Sequence, residues 1–258
     1  MFLLYPYISA YKVVYTKGWD LRAGVDVVGN FWYYSIPTYD QYGFAGYTQM
    51  DFGQSVNYYL GSTDFSYSNG KLAFSVFYNS IKQNKLNAYE IDINENFYNY
   101  GLSLGYTPFK NISVGLTGEV YNDDRFVGLE ALFGYGYNFY IGGNVLRGLN
   151  GGIDYLMFSS VALKDERFSE LKFYLTNRYK SMGILRYETS LTKNLRVKLG
   201  AGAIYGDSSY KPLFLVGQEM NQLGRVLGFD LGVYPRSVET KSGRVDWNEV
   251  MIYIWLKI

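Results

Sequence analysis

Residues 195–205 read LRVKLGAGAIY, and they decide the fold because apolar and polar side chains alternate along them with a period of two. The odd positions are Leu195, Val197, Leu199, Ala201, Ala203 and Tyr205. The even positions are Arg196, Lys198, Gly200, Gly202 and Ile204. Successive side chains of a β-strand point to opposite faces, so one face of this segment is wholly apolar and the other is largely basic or bare. The pattern predicts a β-strand with one apolar side.

The same alternation recurs along the chain, in residues 20–33, 98–106, 112–120 and 248–258. These segments are rich in Val, Tyr, Phe and Gly, and their apolar residues recur at every second position, which is not the spacing of a helix. No stretch approaches the roughly 20 uninterrupted apolar residues that a membrane-spanning helix needs. The sequence therefore predicts an all-β chain.

Turn residues divide the chain at short intervals, and Asn69-Gly70 is the strongest hairpin signal among them. The runs between the turns predict one antiparallel β domain over residues 1–258 with about 14 strands. The predicted strands lie near residues 3–16, 19–34, 47–60, 71–81, 97–107, 112–121, 126–140, 152–163, 168–179, 182–191, 195–206, 210–217, 224–234 and 247–258. Residues 61–68 and 86–94 fit either further strands or loop extensions, so counts of 12 and 16 stay open.

The composition excludes much chemistry. The chain has no histidine, so Ser–His catalysis, histidine-ligated zinc and histidine general bases are impossible. It has no cysteine, so it has neither disulfides nor thiolate metal sites. The net charge of +1 gives no bulk attraction to nucleic acid. We expect a protein that is not an enzyme, has no cofactor or metal, and binds no nucleic acid.

The choice between a β-sandwich and a membrane barrel depends on which face meets water. The polar face here carries mainly Gly, Ser, Thr and Asn with isolated charges, as the interior of a membrane barrel does. The apolar face has aliphatic residues in mid-strand and aromatic residues toward strand ends, as in residues 31–34, and the chain holds 29 Tyr and 17 Phe. Aromatic residues concentrate where a bilayer meets water. The sequence therefore favours a transmembrane β-barrel whose apolar face contacts lipid.

The whole chain resembles the bacterial outer-membrane β-barrels, a class whose last strand alternates apolar residues and usually ends on an aromatic one. Ile252, Ile254, Leu256 and Ile258 supply the alternation, although the last residue is Ile rather than an aromatic. The resemblance implies a location in the bacterial outer membrane, with the lipid bilayer as a partner.

Charged residues on the polar face fall into two groups. The predicted basic wall of the interior consists of Lys172, Arg178, Arg186, Arg196 and Lys198. The predicted acidic wall consists of Asp20, Asp26, Asp51, Glu119, Glu130 and Asp154. One hypothesis is a water-filled pore with a transverse field between these walls. The alternative is that these residues pair with one another and plug the interior, as in small barrels.

A pore for passive diffusion of small hydrophilic solutes or ions is the first functional hypothesis, with the interior charges setting selectivity. A second is a non-conducting membrane anchor, as the C-terminal domain of a longer tether with a periplasmic or cell-wall partner. A third is an export pore for a polymer, which would use the inward aromatic residues Tyr174, Trp247, Tyr253 and Trp255. A homo-oligomer fits each of these hypotheses.

One aromatic-rich connection, residues 37–47, is the candidate for a loop that folds into the interior and narrows it. The alternative, which the sequence favours, is an ordinary aromatic loop at the membrane interface.

Overall fold

The computed structural model describes residues 18–82, 96–109, 111–135, 139–163, 165–177, 181–206, 209–239, 241 and 243–258. These residues form a closed antiparallel barrel of 14 strands. In chain order the strands are β1 (Gly18–Asp40), β2 (Gly43–Ser68), β3 (Leu72–Lys82), β4 (Asn96–Phe109), β5 (Ile112–Tyr121), β6 (Asp124–Tyr135), β7 (Phe139–Gly148), β8 (Ile153–Ala162), β9 (Glu170–Thr176), β10 (Met182–Thr192), β11 (Leu195–Gly206), β12 (Ser209–Gln222), β13 (Arg225–Glu239) and β14 (Arg244–Lys257). Each strand pairs with its sequence neighbours, and β1 pairs with β14. The described residues contain no helix long and apolar enough to cross a membrane.

The prediction of an all-β antiparallel barrel is confirmed, although some strands differ from those predicted. The predicted strand 3–16 lies outside the described residues. The predicted single strand 126–140 is wrong, because β6 and β7 are separate strands that pair with each other in antiparallel register. Glycine and tyrosine alternate from Gly134 to Tyr137, so the period-two pattern continues past the end of β6 and conceals the boundary between the two strands.

The two faces of the wall have the predicted polarity. Along β4 and β5 the exposed side chains are apolar, as at Leu102, Leu104 and Leu116. The polar side chains next to them in sequence, Ser103 and Thr117, are buried. Aromatic side chains gather near the strand ends on the outer face, where the Trp19 ring lies 5.2 Å from that of Phe65. A closed barrel pairs its backbone groups around the whole ring, as hydrocarbon surroundings require. With its apolar outer belt, the chain is a transmembrane barrel of the bacterial outer-membrane type.

The barrel has two distinct ends. The lower end is where β1 begins and β14 ends, and the upper end carries the turn between β1 and β2 at residues 41–42. On β1, Ser35 is the last residue paired with β14, so the described Ile36–Asp40 segment pairs only with β2. The β1–β2 hairpin therefore projects beyond the wall at the upper end. Within the described residues, β2 pairs with β3 from Ser62 to Ser68.

Candidate functional site

The inward-facing residues in the upper half of the barrel are mostly apolar. The described apolar ones that are no more than 8% exposed, which we call the apolar zone, are Tyr34, Phe77, Phe126, Leu146, Leu156, Phe158, Tyr174, Met182, Ile184, Ile204, Leu213, Leu215 and Val245. They come from ten strands spread around the ring: β1, β3, β6, β7, β8, β9, β10, β11, β12 and β14. Glu119 and Asp154 are charged inward residues near the same end. A water-filled porin interior is polar, so an apolar zone on this scale departs from that pattern.

The middle and lower part of the interior carries charge on the adjacent strands β9 to β13. The charged cluster consists of Glu170, Lys172, Arg186, Glu188, Arg196, Lys198, Glu219 and Asp230. It contains four cations and four carboxylates, so its formal charges balance. The cluster lies directly below the apolar zone, since Ile184 and Arg186 are consecutive inward residues of β10.

Glu188 is the carboxylate shared by most of these cations. Its oxygens lie 2.9 Å from Lys172 Nζ, 2.5 Å from Arg186 Nη2 and 3.1 Å from Arg196 Nε. The register brings the partners together, because Arg186 faces Lys172 on β9 and Glu188 faces Lys198 on β11. A buried carboxylate is tolerated when several cations and hydrogen bonds compensate for lost water, and Glu188 has both.

Lys198 connects the cluster to an aromatic side chain farther around the ring. Its ammonium contacts Glu219 of β12 and lies 3.6 Å from Asp230 of β13. The same nitrogen lies 5.3 Å from the centre of the Trp255 ring on β14. The Arg22 guanidinium on β1 lies 4.1 Å from that ring. Both distances are within the range of cation–π attraction.

Four residues of the predicted basic wall lie together in the charged cluster: Lys172, Arg186, Arg196 and Lys198. The fifth, Arg178, lies outside the described residues. Each of the four contacts at least one carboxylate, so the described part of this wall is balanced locally instead of presenting bare positive charge. This arrangement matches the alternative in which inward charges pair and fill the interior.

The residues of the predicted acidic wall are spread over several strands. Asp20 is buried and lies 3.1 Å from Lys257 Nζ, while Glu119, Glu130 and Asp154 lie on β5, β6 and β8. Glu119 and Glu130 are buried, and the Thr117 hydroxyl donates a hydrogen bond to Glu130. The side chains of Asp26 and Asp51, on β1 and β2, lie outside the described ones.

The sequence reasoning missed Glu219 and Asp230, the two partners of Lys198. The predicted strand 210–217 ended before Glu219, although Leu213, Leu215 and Gly217 continue an inward series toward it. Following the period-two pattern two residues farther would have placed Glu219 inside the barrel.

The inward aromatic residues that the structure describes are packed, not free as stacking platforms. Tyr174, Tyr253 and Trp255 are all buried. Arg186 Nη2 donates a hydrogen bond of 2.9 Å to the Tyr174 hydroxyl. The side chain of Trp247 lies outside the described ones. The geometry therefore gives no support to a polymer-stacking surface on the three described residues.

The aromatic segment 37–47 does not enter the interior. It belongs to the β1–β2 hairpin, and Tyr39, Tyr42 and Phe44 are strongly exposed, Tyr42 to 89%. The hypothesis that this segment narrows the interior is therefore wrong. The segment extends past the wall as two paired strands joined by a two-residue turn.

No group of three or more potential metal ligands of the Asp, Glu, His or Cys type occurs among the residues that the structure describes.

The chain is similar to known proteins in structure, whereas the sequence comparisons found no match. No family model matches the chain, and no curated protein matches it. A FadL homologue from Pseudomonas aeruginosa is similar with a TM-score of 0.60 at 8% identity, over 98% of this chain and 94% of that one. The toluene transporter TbuX from Ralstonia pickettii has a TM-score of 0.60 at 10% identity, over 99% and 92%. The toluene transporter TodX from P. putida has a TM-score of 0.56 at 10% identity, over 99% and 92%. At these identities the likeness shows a shared β-barrel fold.

Proposed function

We propose that this chain is an outer-membrane channel for small, largely apolar molecules that pass through the barrel interior. The observation that carries the proposal is the apolar zone. Side chains such as Ile184, Leu213 and Phe158 are almost fully buried, so a passing molecule must part them, and it then meets dispersion contacts away from water, which a hydrated sugar or ion does not need.

The structural neighbours support the same solute class. TbuX and TodX are described as toluene transporters, and CymD, with a TM-score of 0.56 at 8% identity, is described as a monoaromatic hydrocarbon channel. Small aromatic hydrocarbons would fit an interior half lined by Leu, Ile, Met and Phe.

Passive diffusion of hydrophilic solutes or ions, which the sequence predicted, is the second candidate. The charged cluster favours it, because a polar solute can exchange its hydration for contacts with Glu170, Arg196 or Glu219, the more exposed members of the cluster. Under both candidates the cluster contributes to selectivity, and the acidic residues Asp20, Glu119 and Glu130 add to the interior field.

Uptake of a radiolabelled monocyclic aromatic hydrocarbon tests the proposal in cells whose outer membrane otherwise excludes it. We expect cells that make the protein to take up the hydrocarbon severalfold faster than cells with an empty vector. Ile184→Asn should lower this uptake, because an amide in the apolar zone disfavours an apolar solute. Ile184→Leu, which keeps an apolar side chain of the same volume, should preserve it.

Proteoliposome swelling distinguishes the two candidates. Uptake equal to the empty-vector control, together with rapid swelling in isotonic sugar, would reject the apolar solute and support hydrophilic diffusion. Failure in both assays would reject the channel itself.

A further inference from the structure

Two arginines lie next to each other on the outer face of the barrel, near its upper end. Arg147 on β7 directly faces Val127 on β6, which is 60% exposed, and Arg125 precedes Val127 by two residues. Such diagonal neighbours have Cβ atoms about 7–8 Å apart, so the two long side chains can reach one common group. Both arginines are exposed, and neither forms an ion pair with another residue that the structure describes.

The carboxylates nearest in sequence are held away from this pair. Asp124 precedes Arg125 on the same strand, so its side chain points to the opposite face of the wall. It accepts a hydrogen bond of 2.8 Å from Asn150 Nδ2. Asp123, in the turn between β5 and β6, accepts one from the Tyr98 hydroxyl. The outer face therefore presents positive charge at the two arginines.

The arginines lie at the level where a bilayer meets water. Arg125 stands in one row across the outer face with Val120 of β5 and Tyr100 of β4. The Tyr100 ring is 47% exposed and stacks with the Tyr98 ring at 6.4 Å. Aromatic side chains concentrate at the membrane interface, where a lipid-facing cation costs far less than at the midplane. The guanidinium groups are therefore within reach of lipid headgroups.

An apolar groove follows the same two strands downward from the arginines. Its volume is about 1010 Å³, and its floor includes Ala131 of β6 and Gly143 of β7, which face each other. Leu129 and Val145, each more than half exposed, line its upper edge. Because the floor residues have little or no side chain, the outer surface is recessed here by comparison with the leucine and valine above.

The depth of the groove matches one leaflet of a membrane. Ala131 follows Arg125 by six residues, and Gly143 precedes Arg147 by four. At about 3.4 Å per residue, the floor lies about 14–20 Å from the arginines along the strands. With a strand tilt of about 35–45°, this is about 10–16 Å of depth, within half of a hydrocarbon core about 30 Å thick.

We propose that this outer surface binds a phosphorylated, acylated lipid, with a phosphate on Arg125 and Arg147 and an acyl chain in the groove. Guanidinium groups bind phosphate through charge-assisted, bidentate hydrogen bonds, so the charge is complementary. The projecting β1–β2 hairpin marks the upper end as the one that faces the cell exterior. In a bacterial outer membrane that leaflet consists of lipopolysaccharide, so the occupant is its lipid A part. This site lies on the lipid-facing side and is independent of the solute that crosses the interior.

Titration of the purified chain in neutral detergent with bisphosphorylated lipid A, followed by native mass spectrometry, tests the inference. We expect one lipid A molecule per chain, bound at least about tenfold more tightly than phosphatidylglycerol. Arg125→Gln combined with Arg147→Gln should weaken lipid A binding at least about tenfold, because both charge-assisted contacts are lost. Ala131→Leu should weaken it severalfold by filling the floor of the groove.

Each change has a matched control elsewhere on the barrel. Arg167→Gln combined with Arg225→Gln makes the same chemical change at two exposed arginines of the lower end. Ala201→Leu adds the same side chain to the exposed face of β11, away from the groove. Both controls should bind lipid A as the unmodified chain does. Every variant must retain a β-sheet circular dichroism spectrum.

The results distinguish a specific site from general attraction to lipid. Equal affinity for lipid A and phosphatidylglycerol would overturn the inference, as would equal losses in the upper and lower arginine variants. A loss on removing Arg125 and Arg147, with no effect of Ala131→Leu, would leave only an exposed phosphate contact and would overturn the acylated site. Unchanged lipid A binding in the folded upper arginine variant would reject the inference outright.

Discussion

At the scale of single residues, two glycines make room for the largest inward rings. A Cβ at Gly24 would overlap the Tyr253 ring, and a Cβ at Gly228 would overlap the Trp255 ring. Each ring lies against the glycine of a neighbouring strand, β1 for Tyr253 and β13 for Trp255. The glycines thus fix the positions of the rings, including the one that Lys198 contacts.

Gly228→Ala should therefore displace Trp255. Because the added methyl group has no space, we expect a loss of about 1–3 kcal/mol in the free energy of unfolding, as for other overpacked sites. Urea unfolding in lipid vesicles measures the loss, and a shift in tryptophan emission reports the altered surroundings of the indole.

Gly118→Ala is a suitable control, because a Cβ at Gly118 in β5 meets nothing within 4 Å. It should leave stability nearly unchanged. If both alanine variants unfold at the same urea concentration as the unmodified chain, the close contact between Gly228 and the Trp255 ring is contradicted.

Residue identity alone predicted which side chains point inward but not which of them touch. The period of two placed Lys172, Arg186 and Lys198 on the inner face. Their contacts depend on how neighbouring strands are offset, and a shift of one residue between two strands changes every pair. The turns set the offset between neighbouring strands, so the sequence of β11 alone could not predict the partners of Lys198.

At the scale of elements, the sequence predicted strands where charged or small residues alternate with aliphatic ones. It failed between β6 and β7, where the alternation of glycine and tyrosine continues past the end of β6, and at residues 37–47, which were predicted to be a connection. In the β1–β2 hairpin, pairing within the hairpin and two register shifts accommodate these residues. In residues 37–47, pairing between β1 and β2 therefore outweighs the local preference for a loop.

The separation of β6 and β7 can be checked with a disulfide. Leu129 and Val145 are both exposed on the outer face and lie opposite each other in the β6–β7 register. Because the chain has no cysteine, Leu129→Cys combined with Val145→Cys introduces the only thiols. We expect oxidation to give mostly intramolecular disulfide, seen as a mobility change in a non-reducing gel.

Leu129→Cys combined with Leu227→Cys on β13 is the matched pair, since β6 and β13 are not neighbours. It should form no intramolecular disulfide. Equal cross-linking of both pairs, or of neither, would contradict the β6–β7 hairpin.

At the scale of the whole molecule, the two ends of the barrel differ. The upper end has the projecting β1–β2 hairpin and a four-residue turn at residues 149–152, whereas the lower-end turns that are described in full, at residues 69–71, 193–194 and 223–224, have two or three residues. In outer-membrane barrels the short turns face the periplasm and the longer loops face outward. We therefore expect the upper end, with its apolar zone, to face the cell exterior.

Single cysteines test this orientation. Tyr42→Cys in the upper turn should react with a membrane-impermeant maleimide on intact cells, since Tyr42 is 89% exposed. Leu223→Cys in the lower turn, at a residue that is 96% exposed, should react only after the outer membrane is permeabilised. The reverse pattern of labelling would invert the orientation.

The β1–β14 ladder also bears on how the barrel is made. Every other ladder joins strands that follow each other in the chain, whereas this one pairs Arg22 with Lys257 and Ser35 with Arg244. Hairpins of consecutive strands form with little loss of chain entropy, but this seam closes a loop of nearly the entire polypeptide. Until it closes, two strand edges stay open to other chains. Weakening the seam should therefore reduce the yield of assembled protein through aggregation, even where the finished barrel is scarcely less stable.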